Sequence, residues 1–269
     1  MGGETRVFGI LNVTPDSFFD GGRFAGLDAA VAQAVRMAGE GAAAIDVGGQ
    51  STRPGDRGAL GAADEIARIV PVLEQLAARV TVPLSVDTFQ PAVARAALAA
   101  GAHLVNDVHG FQGDPAMAPT VAEAGCPVIL MHWDRAFAEE PGDAIEKLKR
   151  YFARSLALAH AAGVADERII LDPGIGFAKA PAQSLELTGR IGELKALGYP
   201  LLLGISRKSA LGHALGGAPV EERLEATLAT TVLAVVAEIE FVRVHDVLAN
   251  VRAARTAEAV LRAKRLSVR

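Results

Sequence analysis

The chain has 269 residues, 51% of them apolar and only 5% aromatic, with a formal net charge of −4 at pH 7. That length suits one domain over 1–269 with a sizeable aliphatic core, and the mild acidity recommends no nucleic-acid partner. A lone cysteine, Cys126, excludes an intrachain disulfide framework and fits a reducing compartment.

Eight apolar, strand-like runs follow one another, almost all ending on a polar or charged residue. Gly9-Ile10-Leu11 runs into Asn12, Ala44-Ile45 into Asp46-Val47-Gly48, and Pro83-Leu84-Ser85-Val86 into Asp87. His103-Leu104-Val105 ends at Asn106-Asp107, Val128-Ile129-Leu130-Met131 at His132, and Ile169-Ile170-Leu171 at Asp172. Leu201-Leu202-Leu203-Gly204-Ile205 leads to Ser206-Arg207-Lys208, and Phe241-Val242-Arg243-Val244 to His245-Asp246. Helical spacing fills about 28–40, 64–78, 91–100, 115–124, 143–162, 183–197, 221–237 and 247–264. Pro91 suits a first helical position, and Gly101, Gly125, Gly163 and Gly198 sit where helices end.

This alternation predicts an α/β fold, a single (β/α)8 TIM barrel whose strand ends carry the active site. Two long loops, at about 13–27 and 48–62, are expected on that rim as mobile lids rather than solvated spacers. The apolar Ala226 to Ala237 stretch is too short to span a bilayer and contains three threonines, so it reads as a buried helix or a subunit contact. Met1 to Arg6 carries no secretory apolar segment. A soluble, cytoplasmic protein with no membrane partner is expected.

Arg243 and His245 share a strand face with Phe241, which points a guanidinium and an imidazole into the barrel mouth, suited to an oxyanion. The alternative is an Arg243–Asp246 ion pair. Ser51-Thr52-Arg53-Pro54-Gly55 adds hydroxyls and a second guanidinium. Asn12 offers a neutral oxygen for a Mg²⁺ ion arriving with phosphate, and no cluster suggests zinc. Asp87, Asn106 and Asp172 could pair with the N–H edge of a flat heterocycle, or Asp87 and Asp172 could serve local turns. Lys208 could neutralise an acid or meet a substrate carbonyl, Ser209 could offer its hydroxyl, and Phe177 could stack on an aromatic substrate. His132 and Trp133 have less to recommend them. No nucleophile–base pair or dinucleotide fingerprint emerges.

Ile10-Leu11-Asn12-Val13-Thr14-Pro15-Asp16-Ser17-Phe18 with Asp20-Gly21-Gly22 resembles the first signature of dihydropteroate synthases. Asp46-Val47-Gly48-Gly49 with Ser51-Thr52-Arg53-Pro54-Gly55 resembles the second, and six further blocks match in order, from Ser85-Val86-Asp87-Thr88 to Arg243-Val244-His245-Asp246. The family joins 4-aminobenzoate to the methylene of (7,8-dihydropterin-6-yl)methyl diphosphate, releasing diphosphate in a dissociative substitution. The resemblance implies that Asp87, Asn106, Asp172 and Lys208 hold the pterin. It assigns Asn12, Thr52, Arg53, Arg243 and His245 to diphosphate, with Asn12 on Mg²⁺, and Thr52, Pro54, Phe177, Lys208 and Ser209 to 4-aminobenzoate. Asp87, Lys208, Arg243 and His245 would be the catalytic set. A homodimer through the late helices is expected.

Several positions depart from the family pattern. Gln50 replaces a glutamate, 56–64 lacks the usual run, Ala178 and Ala180 flank Lys179 in place of Gly and Thr or Asn, and Trp133-Asp134-Arg135 is atypical. The Phe-Gly insertion of sulfonamide-insensitive relatives is absent after Gly176-Phe177, so ordinary competition by sulfonamides is expected. A non-catalytic pterin-binding paralogue and a folate-dependent methyltransferase are the competing readings.

Overall fold

Short runs of Val, Ile and Leu buried on both faces form parallel strands, because each can satisfy its backbone only by pairing with neighbours on either side. The computed structural model describes residues 4–13, 23–50 and 60–266. Among them the strands are β1 (Arg6–Asn12), β2 (Ala44–Gly48), β3 (Leu84–Asp87), β4 (Leu104–Asp107), β5 (Val128–Met131), β6 (Ile169–Asp172), β7 (Leu202–Leu203) and β8 (Phe241–Val244). All their pairings are parallel, in the order β6-β5-β4-β3-β2-β1-β8-β7. A bridge between Leu171 and Leu201, with Leu171 N–H donating to Pro200 O at 2.9 Å, closes β6 onto β7. The result is the (β/α)8 barrel.

The helices are α1 (Arg23–Gly39), α2 (Ala62–Ala77), α3 (Pro91–Ala99), α4 (Met117–Ala124), α5 (Ala144–Ala162), α6 (Pro181–Arg190), α7 (Ser209–Ala214), α8 (Leu224–Val236) and α9 (Val247–Leu266). The expected eight agree closely. Two details differ. The first loop is shorter than expected, because α1 begins at Arg23, and α7 is an additional turn between β7 and α8. Pro91 opens α3. Asp143 caps α5, accepting from the N–H groups of Ile145 and Glu146 at 2.9 and 3.1 Å. Gly125 and Gly163, at φ 61° and 87°, close α4 and α5 in the left-handed conformation that glycine adopts without strain.

The core has two parts. A large cluster lies between strands and helices, and a smaller one fills the barrel itself: Phe8, Ala44, Leu104, Ile129 and Leu202, with Ile170 and Phe241 packed on it. In α8 the threonines face inward. Thr227, Thr230 and Thr231 are buried, and Thr231 Oγ1 donates to Asn250 Oδ1 of α9 at 2.6 Å, whereas Val232, Leu233 and Val236 are exposed. No helix among the described residues is long and apolar enough to cross a membrane.

Candidate active site

One step along the strands from that apolar layer, the in-pointing positions turn polar. Asp46 on β2, Asp87 on β3, Asn106 on β4, Asp172 on β6 and Arg243 on β8 converge beneath the barrel mouth. Arg243 Nη2 donates to Asp87 Oδ2 at 2.6 Å, and its Nε donates to Asp46 Oδ2. The same Asp46 oxygen accepts from Asn106 Nδ2 at 3.0 Å. The Arg243–Asp246 pair weighed above does not form. Asp246 lies past the end of β8 and instead holds Arg207 through two bonds of 2.8 Å.

Burial pushes the Asp87 carboxyl up to about 7, against the pull of Arg243 and with help from Asp46. Asp172 is also raised by burial, opposed by Lys208 and by the Gly174 N–H that its Oδ1 accepts at 2.7 Å. Asp172 therefore does serve a local turn with one oxygen. Asp87 does not cap α3, whose capping residue is Gln90. Burial works against the Arg243 charge, but Asp46 and Asp87 outweigh it and raise its pKa.

Two glycines keep this mouth open. A Cβ on Gly204 would lie 3.4 Å from Asp172 Oδ2, and one on Gly48 would lie 3.8 Å from Asp87 Oδ2 and 3.9 Å from Asn12 Oδ1. Asn12 and Asp87 thus flank one gap. Across the mouth, Arg207 turns left-handed at φ 55° and presents Lys208, whose ammonium lies 4.4 Å from the centre of the Phe177 ring and donates to Ile175 O. Burial lowers Lys208 to about 8, with Asp172 opposing and Arg243 adding to the fall. Ser209 follows, exposed at the start of α7. His245 Nδ1 lies 3.0 Å from Ser206 Oγ. Carboxylates in a planar-heterocycle floor, cations above it and an aromatic wall beside it make a chamber for a two-part aromatic substrate carrying an anion.

The sequence pattern of the pterin binding enzymes matches residues 8–245. A dihydropteroate synthase from Clostridium beijerinckii is 45% identical over 263 residues, covering 97% of this chain and 96% of that protein. The chain belongs to the dihydropteroate synthase family. The solved dihydropteroate synthase of Xanthomonas albilineans with 4-aminobenzoic acid superposes with a TM-score of 0.91 at 41% identity, covering 96% of this chain and 93% of that one. The Yersinia pestis dihydropteroate synthase, solved with a sulfonamide drug, has a TM-score of 0.89 at 40% identity, covering 97% and 95%. This family member is accordingly a transferase of the dihydropteroate synthase type, and the resemblance read from its motifs holds along nearly the whole chain.

The barrel brings Asn12, Asp87, Asn106, Asp172, Lys208, Arg243 and His245 to the strand ends, with Phe177 on an adjoining loop and Ser209 at the start of α7. Thr52, Arg53 and Pro54, with most of both expected lids, lie outside the described residues. Two features were passed over in the sequence. Asp46 was visible only as part of a strand end. Lys179, treated as a motif letter between two departures, is buried: Nζ lies 2.8 Å from His132 Nδ1 and donates to Gly174 O and Phe177 O at 2.9 and 3.2 Å. Burial and then Lys208 lower Lys179 to about 7, and burial and then Lys179 lower His132 to about 2, so the imidazole beside the lysine is neutral. Together they brace the loop that carries Phe177.

The departures find physical places. Gln50 Oε1 accepts from Leu60 N at 2.8 Å, joining the residues on either side of 51–59. The Trp133 ring stacks on His109 at 4.3 Å and 6°. Ala178 has φ 48°, a left-handed conformation that explains why glycine is the commoner family choice. Among the described residues no group of three or more His, Cys, Asp or Glu forms a metal cage. Asn12 Oδ1, a neutral oxygen at the mouth, is of the type that could serve as one ligand to a magnesium ion.

Proposed function

We propose that the chamber joins 4-aminobenzoate to (7,8-dihydropterin-6-yl)methyl diphosphate, giving 7,8-dihydropteroate and diphosphate, with Asp87, Asn106 and Asp172 reading the pterin edge. The observation that carries this reading is the floor of acceptors lying directly beside the Arg243 guanidinium. In the step, the methylene–oxygen bond breaks and its electron pair leaves with diphosphate. The amine nitrogen then bonds to the methylene carbon and gives its proton to solvent. Arg243 and His245, joined by Arg53 and Thr52 from the second loop, stabilise the departing charge, and the floor carboxylates offset the cation developing on the ring. Mg²⁺, when bound with the diphosphate, would be held by Asn12 and would neutralise charge on the leaving group.

Lys208, Phe177, Ser209, Thr52 and Pro54 frame the arylamine, so positioning does most of the work and no general base is required. The complexes of relatives with 4-aminobenzoic acid and with a sulfonamide support placing both at this mouth, and sulfonamides should compete with 4-aminobenzoate. We further propose a cytoplasmic homodimer. Val232 and Val236 of α8 and Val260 of α9 stand exposed around a groove of about 630 Å³ lined also by Leu228, Ala253 and Leu261, an apolar face that a second copy would cover. The deciding experiment follows diphosphate release from the dihydropterin diphosphate with Mg²⁺, with and without 4-aminobenzoate. Amine-dependent release with dihydropteroate appearing is expected. Tight pterin binding without product would mean a binding paralogue instead.

A further inference from the structure

Asp46 is fully buried beneath the ligand chamber, and one of its oxygens does two jobs. Oδ2 accepts from Asn106 Nδ2 at 3.0 Å and from Arg243 Nε. A carboxylate can only accept, so Asn106 must turn its NH₂ toward Asp46, since the opposite orientation would set two acceptors against each other. The amide oxygen Oδ1 is then the atom left over, buried and without a partner among the described residues. The Arg243 clamp acts in the same way. With Nε held by Asp46 and Nη2 by Asp87, the plane of the guanidinium is set before any anion arrives.

We infer that Asp46 is a positioning and specificity-determining residue: it orients the Asn106 amide so that the floor presents only acceptors, and so selects a heterocycle whose edge carries N–H donors. The floor then consists of Asp87, Asn106 Oδ1 and Asp172 Oδ2. A ring with a carbonyl at one of those places would face like against like, and a site built of buried acceptors rejects such an analogue strongly. This deepens the pterin reading above and rests on it. Asp46 touches no substrate and acts through Asn106 and Arg243.

The test uses the full chain and two probes, 6-hydroxymethylpterin and 6-hydroxymethyllumazine, the second carrying a 2-oxo group in place of the 2-amino donor. Binding of each is measured by calorimetry to the wild type and to Asp46→Asn, whose new amide can pair with Asn106 in either orientation. The preference for pterin is expected to fall at least about tenfold in the variant. The KM for the pterin diphosphate should rise by a similar factor, while that for 4-aminobenzoate stays unchanged. A wild type that binds pterin, beside a folded variant with the same preference and the same KM, overturns this inference alone. A wild type that binds neither probe overturns the pterin reading as well. If the variant does not fold, the wild type carries the test by NMR. The Asn106 side-chain amide and the Arg243 Nε–H should exchange slowly with solvent both free and with pterin bound, and rapid exchange on binding overturns the inference.

Discussion

Ile129, Ile170, Leu202 and Phe241 fill the lower barrel with aliphatic and aromatic carbon, while two residues further along the same strands Asp172, Gly204 and Arg243 form part of a charged floor. Backbone geometry is the same in both layers, and so is side-chain direction, because alternate residues of a strand share a face. The lower layer is closed by packing and needs no ligand. The upper layer holds Asn106 Oδ1, a buried acceptor with no partner among the described residues, and a buried acceptor of that kind calls for a donor from elsewhere. One register step separates stability from chemistry.

The sharpest way to break that division is Arg243→Ala. It leaves Asp46 and Asp87 buried without their cation, so urea denaturation should show a loss of about 3–5 kcal/mol, and kcat/KM should fall at least about 100-fold. Ile129→Ala is the matching cut in the lower layer. It should cost about 2–5 kcal/mol through the cavity it leaves, while turnover per folded molecule stays unchanged. Equal losses of turnover in the two variants would dissolve the distinction. Lys208→Ala, above the floor, should lower kcat/KM about 100-fold in steady-state assays without a matching loss of stability.

Titration sharpens the picture. Asp87 accepts hydrogen bonds at both oxygens only when ionised, and its value in the folded, free protein is about 7, raised by burial. As pH falls below that value the carboxyl gains a proton, so kcat/KM for the pterin diphosphate should drop by up to about tenfold per pH unit. Lys208, lowered by burial to about 8, loses its charge as pH rises, which should give a second fall on the alkaline side. The Lys208→Ala profile should keep the acid limb and lose the alkaline one. Ala178→Gly is the smallest change. Relief of the left-handed alanine at φ 48° should add up to about 1 kcal/mol of stability, read from the urea midpoint, with no change in KM for the pterin diphosphate.

Much of the fold was legible because barrel strands are local objects. A run such as Val128–Met131 is apolar throughout, is buried on both faces, and sits between a helix-ending glycine and the next helix. The chemistry at strand ends was legible for a related reason: Asp87, Asp172 and Arg243 each interrupt an apolar run at the place where a barrel opens. β7 was predicted longer than the two residues it keeps, and α7 was not foreseen, because both depend on how Ser206 to Ser209 turn against β8.

What the chain by itself determined is therefore the succession of strands and helices, the barrel they build, and the set of polar residues at its mouth. Only the tertiary structure decided the pairings among that set. Arg243 chose Asp46 and Asp87, which lie 197 and 156 residues away in sequence, over its neighbour Asp246. Lys179 likewise found His132 across 47 residues. Such choices rest on which strands lie side by side and which way each side chain points. Barrel closure, with β8 returning to β1, supplies that information, and no stretch of sequence contains it.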